Sequence, residues 1–178
     1  MVYEFASTSK ITYPGAGISV MASSAQNIKY MAKLMSIQMI SFDKINQLRH
    51  VLYLKDRANT LELMKKHAEI MAPKFKMVLD VLDAQIAPCG FACWNKPKGG
   101  YFVSLNTMPG TAKRALELAA EAGVTMTDAG ATYPYGKDPM DSNIRIAPSL
   151  PPVEELEKAM DVFCTCLKYA ALEKLLNP

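Results

Sequence analysis

The stretch Ser-Thr-Ser-Lys-Ile-Thr-Tyr-Pro-Gly-Ala-Gly, residues 7–17, decides how the rest of the chain is interpreted. Lys10 follows a run of hydroxyl side chains and precedes a turn rich in proline and glycine. The flanking residues 2–5 and 18–21 are rich in β-forming side chains and predict two short strands. Lys10 is therefore predicted to lie on a loop at the end of a strand.

Lys10 and the hydroxyl groups around it suit covalent chemistry with a phosphorylated aldehyde. A lysine in a partly apolar loop can act as a nucleophile once it has lost its proton. The hydroxyls of Ser7 and Ser9, together with free backbone N–H groups in a turn, suit a phosphate. This combination is what an enzyme needs to hold pyridoxal phosphate as an imine. The alternative is an ordinary surface lysine, and the stretch alone leaves both interpretations open.

The composition narrows the class of protein. The chain has 178 residues, of which 50% are hydrophobic and 21% charged, as in globular proteins. The net charge of +3 comes from basic residues mixed among acidic ones, which argues against nucleic-acid binding. No apolar stretch reaches the roughly 18 residues of a membrane span, and we recognise no secretion signal. We expect a cytoplasmic protein with neither nucleic acid nor a membrane as partner.

The cysteines and histidines predict no metal site. The chain has four cysteines (Cys89, Cys93, Cys164 and Cys166) and two histidines, and their spacing matches no zinc motif. We expect reduced thiols.

The first half of the chain beyond residue 24 is predicted to be largely helical. Residues 25–40 show helical periodicity after Ser24, a good N-cap. Residues 43–87 predict long helical segments, and Pro73 is expected to kink the helix or start a new turn. One apolar stripe runs along these segments: Leu61, Met64, Ala68, Met71, Phe75, Val78 and Leu82.

The second half predicts alternating strands and helices. Thr111 is predicted to cap a helix over residues 112–122 that stops at Gly123. Pro151 and Pro152 open the final helix. The predicted strands are residues 91–94 and 101–105, forming a hairpin, then residues 124–127 and 143–147, with a long loop over residues 128–142.

Arg145 is a second candidate site residue, because it lies in a strand among apolar neighbours. A buried arginine needs a partner, and its planar fork binds a carboxylate at two points. The sequence leaves two interpretations open: a clamp for a substrate carboxylate, or half of a structural ion pair.

Together, these motifs resemble the C-terminal part of the class I/II aminotransferases, the fold-type I pyridoxal-phosphate enzymes. The order matches: Ser-x-Ser-Lys on a loop after a strand, a long helix, Pro-x-Gly-Gly-x-Phe at residues 97–102, and Asn-Ile-Arg-Ile-Ala-Pro at residues 143–148. Residues 7–17, 43–50, 130–139 and 143–148 are similar to the aspartate-aminotransferase-like branch.

The resemblance implies an α/β fold: the end of the large-domain sheet, a long connecting helix and a small α/β domain. Residues 1–72 would end the pyridoxal-phosphate-binding large domain and begin the interdomain helix, and residues 73–178 would form the small domain. Lys10 would bind the cofactor covalently and shuttle a proton, while Ser7 and Ser9 would bind its phosphate. Arg145 would hold the substrate α-carboxylate. Residues 97–101 would belong to the lobe that closes over substrate.

One position departs from the family pattern. Most of the superfamily has a phosphate-binding arginine eight residues after the lysine, where this chain has Ile18. The phosphate would then be held by Ser7, Ser9 and backbone N–H groups. No residue that reads the substrate side chain can be placed, and Lys44 and Arg49 are weak candidates.

The resemblance also implies a function and a size. Enzymes of this fold are roughly twice as long, within the range of two-domain chains. We therefore expect a C-terminal fragment, inactive alone, of a homodimeric transaminase acting on an amino acid and a 2-oxo acid, with aspartate or alanine and 2-oxoglutarate as candidate substrates. Two alternatives stay open: the aminotransferase-like ligand-sensing domain of a transcription regulator, and a structural fragment without activity.

Overall fold

The computed structural model describes residues 2–177. The chain divides into two compact units, Met1–Lys66 and His67–Pro178. The division falls six residues before the predicted boundary between residues 72 and 73, inside the same helix. The assignment of the two segments to a large and a small domain remains a prediction.

The first unit begins with a two-stranded antiparallel ribbon. Strand β1 (Glu4–Ser7) pairs with β2 (Ser19–Ala22) so that Ser7 lies opposite Ser19. Both strands begin within two residues of their predicted starts, and Lys10 lies in the connecting turn, as predicted. We call residues 8–18 the lysine loop.

Two helices follow in this unit, and each begins at a side-chain cap. The predicted cap Ser24 accepts a hydrogen bond from the Asn27 N–H and opens α1 (Ala25–Gln38). Asp43 accepts from the Asn46 N–H and opens α2 (Lys44–Leu54). Helix α2 ends where Lys55 adopts a φ of 58°.

Apolar side chains of the first unit are largely exposed. Among the described residues 2–66, His50 is the one side chain classed as buried, at 3% exposure. Phe5, Ile37 and Ile40 are 75%, 79% and 105% exposed. This part of the chain therefore lacks a core of buried aliphatic side chains.

Helix α3 (Arg57–Gln85) continues through Pro73. Pro73 therefore lies inside one continuous helix, and the prediction of a kink at this proline, which donates no backbone hydrogen bond, stays a prediction. The predicted apolar stripe is buried only at its C-terminal end, at Val78 and Leu82, whereas Leu61 and Met64 are each 45% exposed. A 3-10 helix, Ala87–Cys89, follows α3 and ends at Gly90, which has a φ of 70°.

The second unit is built on a three-stranded antiparallel sheet. Its strands are β3 (Cys93–Trp94), β4 (Val103–Asn106) and β5 (Asn143–Ile146), in the spatial order β3-β4-β5. The predicted hairpin and the predicted strand around Arg145 are confirmed. Helices α4 (Ala112–Glu121) and α5 (Val153–Leu176) complete the unit.

The core of the second unit lies between one face of this sheet and the helices. Alternation along the strands buries Val103 and Leu105 on β4, and Ile144 and Ile146 on β5. The helical residues of the same cluster include Val78, Leu82, Ala112, Ala115, Leu156, Met160, Phe163 and Leu167. Ser104 and Arg145, which pair across the ladder, alternate with these core residues along their strands.

One prediction in the second unit is wrong, and another is confirmed only in position. Residues 124–127 form no strand, because within residues 2–177 no strand pairs with them; their alternation reflects Met126 packing on the core. Thr111 is the N-cap residue of α4, as predicted, but its hydroxyl donates to the Met108 carbonyl oxygen and makes no hydrogen bond to the helix. The Asp141 carboxylate, distant in sequence, accepts from the Lys113 N–H in its place. The predicted stop at Gly123 is confirmed by its φ of 88°.

Along residues 2–177, none of the helices is both long enough and apolar enough to cross a membrane.

Candidate functional site

The backbone of the lysine loop is closed at its base by Thr8. The Thr8 N–H donates to the Ile18 carbonyl oxygen at 2.8 Å, and the Ile18 N–H donates to Thr8 Oγ1 at 2.9 Å. The N–H groups of Ile11 and Thr12 both donate to the Thr8 carbonyl oxygen at 2.9 Å. Lys10 is thus held in a tight turn and is exposed, although Ile11 beside it is half-buried.

Ser7 and Ser9 lie together beside the lysine. Their Oγ atoms are 2.6 Å apart, and the Ser9 N–H donates to Ser7 Oγ at 3.1 Å. The two hydroxyls are exposed, which leaves them accessible to a bound group. Gly17 lies against this pair, since an added Cβ there would be 2.6 Å from Ser9 Oγ. The structure therefore keeps a Cβ-free space next to the hydroxyl pair.

Helix α2 supports the lysine loop through its face carrying Asn46 and His50. The Asn46 side-chain amide donates to the Ala16 carbonyl oxygen at 2.9 Å. His50 Nε2 lies 2.8 Å from Thr12 Oγ1 and 3.3 Å from Thr8 Oγ1. The opposite ring nitrogen, Nδ1, lies 2.9 Å from the Asn46 carbonyl oxygen. Helix and loop are therefore joined at three points along the turn.

An aromatic cluster covers this junction. The Tyr13 ring contacts His50 edge-on at a centroid distance of 5.4 Å and Tyr53 at 5.2 Å. The Arg49 guanidinium carbon lies 4.3 Å from the Tyr13 ring centroid, and Arg49 also donates to Asn46 Oδ1 at 2.6 Å. Arg49, a weak candidate for reading a substrate side chain, thus has a local partner, and Lys44 is exposed.

Arg145 lies on β5 of the second unit with its guanidinium carbon 4.5 Å from the Phe102 ring centroid. Within residues 2–177 its Nε is buried and has no hydrogen-bond partner, and none of the described ion pairs includes Arg145. An unpaired buried N–H costs free energy, so such a group usually has a partner. The interpretation of Arg145 as half of a structural ion pair therefore finds no support in this part of the chain.

A polar network fixes the strand that carries Arg145. The side-chain amide of the buried Asn143 donates to Ser104 Oγ at 3.0 Å and to Asn106 Oδ1 at 2.8 Å, and its oxygen accepts from Thr132 Oγ1 at 2.7 Å. Asp138 Oδ2 accepts from the N–H groups of Ser142 and Asn143, both at 2.8 Å. The network joins β4, β5 and the preceding loop.

The carboxylate of Asp138 is stabilised in its charged form. Desolvation, the largest single influence, raises its pKa, but the N–H groups of Ser142, Asn143 and Met140 together outweigh it and hold the pKa below its ordinary value. This part of the loop is therefore ordered by an ionised side chain at neutral pH.

The sequence profile of the aspartate amino-transferase family matches residues 1–178. The chain belongs to the aspartate aminotransferase family. It is 50% identical over 175 residues to an aspartate aminotransferase of Corynebacterium glutamicum, covering 98% of this chain and 40% of that protein.

Solved structures of aminotransferases match the fold. A crystal structure of an aspartate transaminase from Corynebacterium glutamicum superposes with a TM-score of 0.92 at 50% identity, over 97% of this chain and 41% of that chain. An α-aminoadipate aminotransferase from Thermus thermophilus, solved with N-(5'-phosphopyridoxyl)-L-leucine, matches with a TM-score of 0.78 at 18% identity, over 96% and 42%. The latter likeness concerns the fold alone.

The aspartate aminotransferase family assignment confirms the expected fold class, a C-terminal portion of a fold-type I aminotransferase. The chain spans about two fifths of the length of the relatives it matches, 40% of the Corynebacterium protein and 41% of the solved chain.

The structure distributes the predicted site residues of this family member over both units. Ser7, Ser9 and Lys10 lie together in the first unit, whereas Arg145 lies in the second. The sequence interpretation missed His50, although Asn46 and His50 are spaced i, i+4 and therefore share a helix face. It also missed Phe102 under Arg145 and the support from Asn143, which depend on contacts between distant segments. Among the described residues 2–177, no group of His, Cys, Asp and Glu side chains could hold a metal ion.

Proposed function

We propose that this chain is the C-terminal part of a pyridoxal-phosphate-dependent aminotransferase that transfers an amino group from an amino acid to a 2-oxo acid. The observation that carries the proposal is the arrangement of Lys10 on a fixed loop beside the Ser7–Ser9 hydroxyl pair. Aspartate or alanine as donor and 2-oxoglutarate as acceptor are the proposed substrates. The name of the Corynebacterium glutamicum relative, aspartate aminotransferase, supports aspartate as donor.

The residues of the lysine loop fit this cofactor. Pyridoxal phosphate supplies an electron sink that stabilises negative charge at the substrate Cα. Lys10 would hold the cofactor covalently through Nζ and would serve as the base and acid for the proton at the substrate Cα. Ser7 and Ser9 would donate hydroxyl hydrogens to the phosphate, and the absence of a side chain at Gly17 leaves room beside Ser9 Oγ. Ile18, half-buried and bonded to Thr8 through its backbone, contributes no charge.

Arg145 supplies the substrate clamp in this proposal. Its Nε lacks a partner within residues 2–177, and its ring contact with Phe102 orients the guanidinium plane. A planar guanidinium binds a carboxylate through two parallel hydrogen bonds, so Arg145 has the chemistry to hold the α-carboxylate of the substrate.

The proposal extends to the organisation of the whole protein. Residues 1–72 would end the large domain and begin the interdomain helix, and residues 73–178, including residues 97–101, would form the small domain that closes over substrate. We propose a homodimer, because enzymes of this family build each active site from two subunits. We also propose a cytoplasmic location.

Borohydride trapping tests the site directly. We expect that reduction in the presence of pyridoxal phosphate labels Lys10 in preference to the other lysines, because the adjacent Ser7 and Ser9 hydroxyls would bind the phosphate. Peptide mass spectrometry after digestion measures the site of labelling. The Lys10→Ala variant should lose the selective label and keep only background at surface lysines. Equal labelling of Lys10 and surface lysines in the unmodified chain would contradict the proposal.

We expect the chain by itself to show no transaminase turnover. It spans 40% of its Corynebacterium relative, and the resemblance implies that other segments supply the carboxylate partner of the pyridine nitrogen and the ring-stacking aromatic. A coupled assay of oxaloacetate formation from aspartate and 2-oxoglutarate measures this, with the Corynebacterium glutamicum enzyme as positive control. Turnover by the chain above the rate with free pyridoxal phosphate alone would contradict the expectation, provided that the Lys10→Ala variant loses this activity.

A further inference from the structure

His50 occupies an unusual place in the first unit. It is the one side chain classed as buried among the described residues 2–66, and it is polar. Burying a polar group costs free energy unless its donors and acceptors are satisfied. Both nitrogens of the ring have partners, on helix α2 on one side and on the lysine loop on the other.

The partners of His50 determine which ring nitrogen must carry a proton. A carbonyl oxygen can only accept, so the 2.9 Å contact between Nδ1 and the Asn46 carbonyl oxygen requires a proton on Nδ1. The opposite nitrogen, Nε2, lies 2.8 Å from Thr12 Oγ1, whose hydroxyl also lies within donating distance of the Thr8 carbonyl oxygen (3.2 Å) and of Thr8 Oγ1 (3.1 Å). The remaining hydroxyl, Thr8 Oγ1, accepts from the Ile18 N–H and lies 3.3 Å from the same nitrogen.

The two threonines flank the lysine. Thr8 and Thr12 stand two residues before and two residues after Lys10 and are joined by the Thr12 N–H bond to the Thr8 carbonyl oxygen. A ring that holds both hydroxyls therefore fixes both ends of the turn that carries the amine. The Tyr13 ring packs edge-on against His50 and limits the rotation of the imidazole.

We propose that His50, protonated at Nδ1, is a positioning residue that holds the lysine loop against helix α2 and so fixes the direction of the Lys10 amine. This inference adds a positioning residue to the proposed site. It rests on the proposed function only where it assigns a catalytic purpose to the direction of the Lys10 amine. We call the contacts of His50 with Thr8, Thr12 and Asn46 the lock; they are present in the chain with or without a cofactor.

The tautomer of His50 is the first test. The chain has two histidines, so long-range proton–nitrogen NMR spectra separate His50 from His67 with a single His67→Gln variant. We expect a protonated Nδ1, as its contact with the Asn46 carbonyl oxygen requires, and a shift of the Nε2 resonance in Thr12→Val, which removes the hydroxyl and keeps the shape. A ring protonated at Nε2 alone, or an Nε2 resonance indifferent to Thr12→Val, would overturn the proposal.

Amide exchange in variants tests the lock. In His50→Phe, which keeps a ring against Tyr13, we expect the amides of Thr12 and Ile18 to exchange about tenfold faster, because their hydrogen-bonded turn opens locally. His50→Gln restores an acceptor near the Nε2 position and should recover most of the protection, and His67→Gln should change nothing. Unchanged loop amides, or equal acceleration of the β1–β2 ladder amides, would show no specific lock and would overturn the proposal.

Pyridoxal trapping then separates the two hypotheses. We expect His50→Phe to lower the labelling of Lys10 relative to the other lysines about tenfold, and His50→Gln to restore it, if loop order directs the amine. Undiminished selectivity in His50→Phe would overturn the positioning role. If the unmodified chain shows no selectivity at all, the cofactor proposal fails, while the tautomer and exchange results still decide whether the lock exists.

Discussion

Replacing Gly130 with alanine is expected to lower the free energy of unfolding of the His67–Pro178 unit by about 4 kcal/mol, near the upper end for single substitutions. Gly130 has a φ of 79°, where a residue with a Cβ is strained by about 1–2 kcal/mol. The added Cβ would also lie 2.3 Å from the Gly136 carbonyl oxygen and 3.2 Å from the Asp138 nitrogen. Both neighbours are backbone atoms, so relief requires the loop that organises Asn143 to move. Urea unfolding followed by circular dichroism measures the change.

Gly136 offers a matched control for Gly130→Ala. It has a similar positive φ of 67°, but an added Cβ would meet nothing within 4 Å. Gly136→Ala should therefore cost only the backbone strain of about 1–2 kcal/mol. Equal losses of stability in the two variants would show that the close approach of Gly130 to Gly136 is unimportant.

If Arg145 has the proposed role, 2-oxoglutarate should stabilise the unmodified chain but not Arg145→Met, and the substitution itself should leave stability unchanged or raise it by about 1 kcal/mol. Methionine removes the buried, unpartnered Nε and keeps an apolar contact with Phe102. The gain is offset in part by the lost cation–π contact, worth about 0.5–1 kcal/mol at an exposed site. Thermal unfolding with and without 2-oxoglutarate measures both quantities, because a ligand that binds only the folded state raises the melting temperature.

Arg114 provides the control for Arg145. It forms a two-point ion pair with Glu173, with N–O distances of 2.8 and 3.1 Å, and so already has its carboxylate. In Arg114→Met the stabilisation by 2-oxoglutarate should persist. A large loss of stability in Arg145→Met, or ligand stabilisation retained in that variant, would instead indicate a structural role for Arg145.

Local chemistry explains which elements could be predicted from the sequence. Ser24 before α1, Gly123 after α4 and Pro152 before α5 act within one helical turn, so the correct boundaries follow from short-range signals. Residues 124–127 have the alternation of a strand but no strand beside them. Thr111 has the chemistry of a cap, yet its hydroxyl bonds to Met108 while Asp141 approaches from a distant loop. Pairing and capping by remote residues leave no trace in a local pattern.

The residues of the candidate site also differ in whether the local sequence predicts them. The position of Lys10 on a loop beside Ser7 and Ser9 follows from adjacent residues, and this placement is confirmed, whereas their roles stay a prediction. His50 carries no local signal beyond its spacing from Asn46. Its relation to the lysine loop exists only because α2 packs against residues far away in sequence.

The hydrogen-bonded character of the first unit has a thermodynamic consequence. The heat capacity of a protein rises on unfolding chiefly because apolar surface becomes hydrated. Among residues 2–66 only His50 is fully buried and many large apolar side chains already contact water, so this segment has less apolar surface left to expose than residues 67–177. The heat-capacity increment of the chain is therefore expected to come mainly from the His67–Pro178 unit. Since the hydrophobic driving force weakens on cooling, that unit loses stabilisation in the cold, and the lysine loop, held by hydrogen bonds, is far less sensitive.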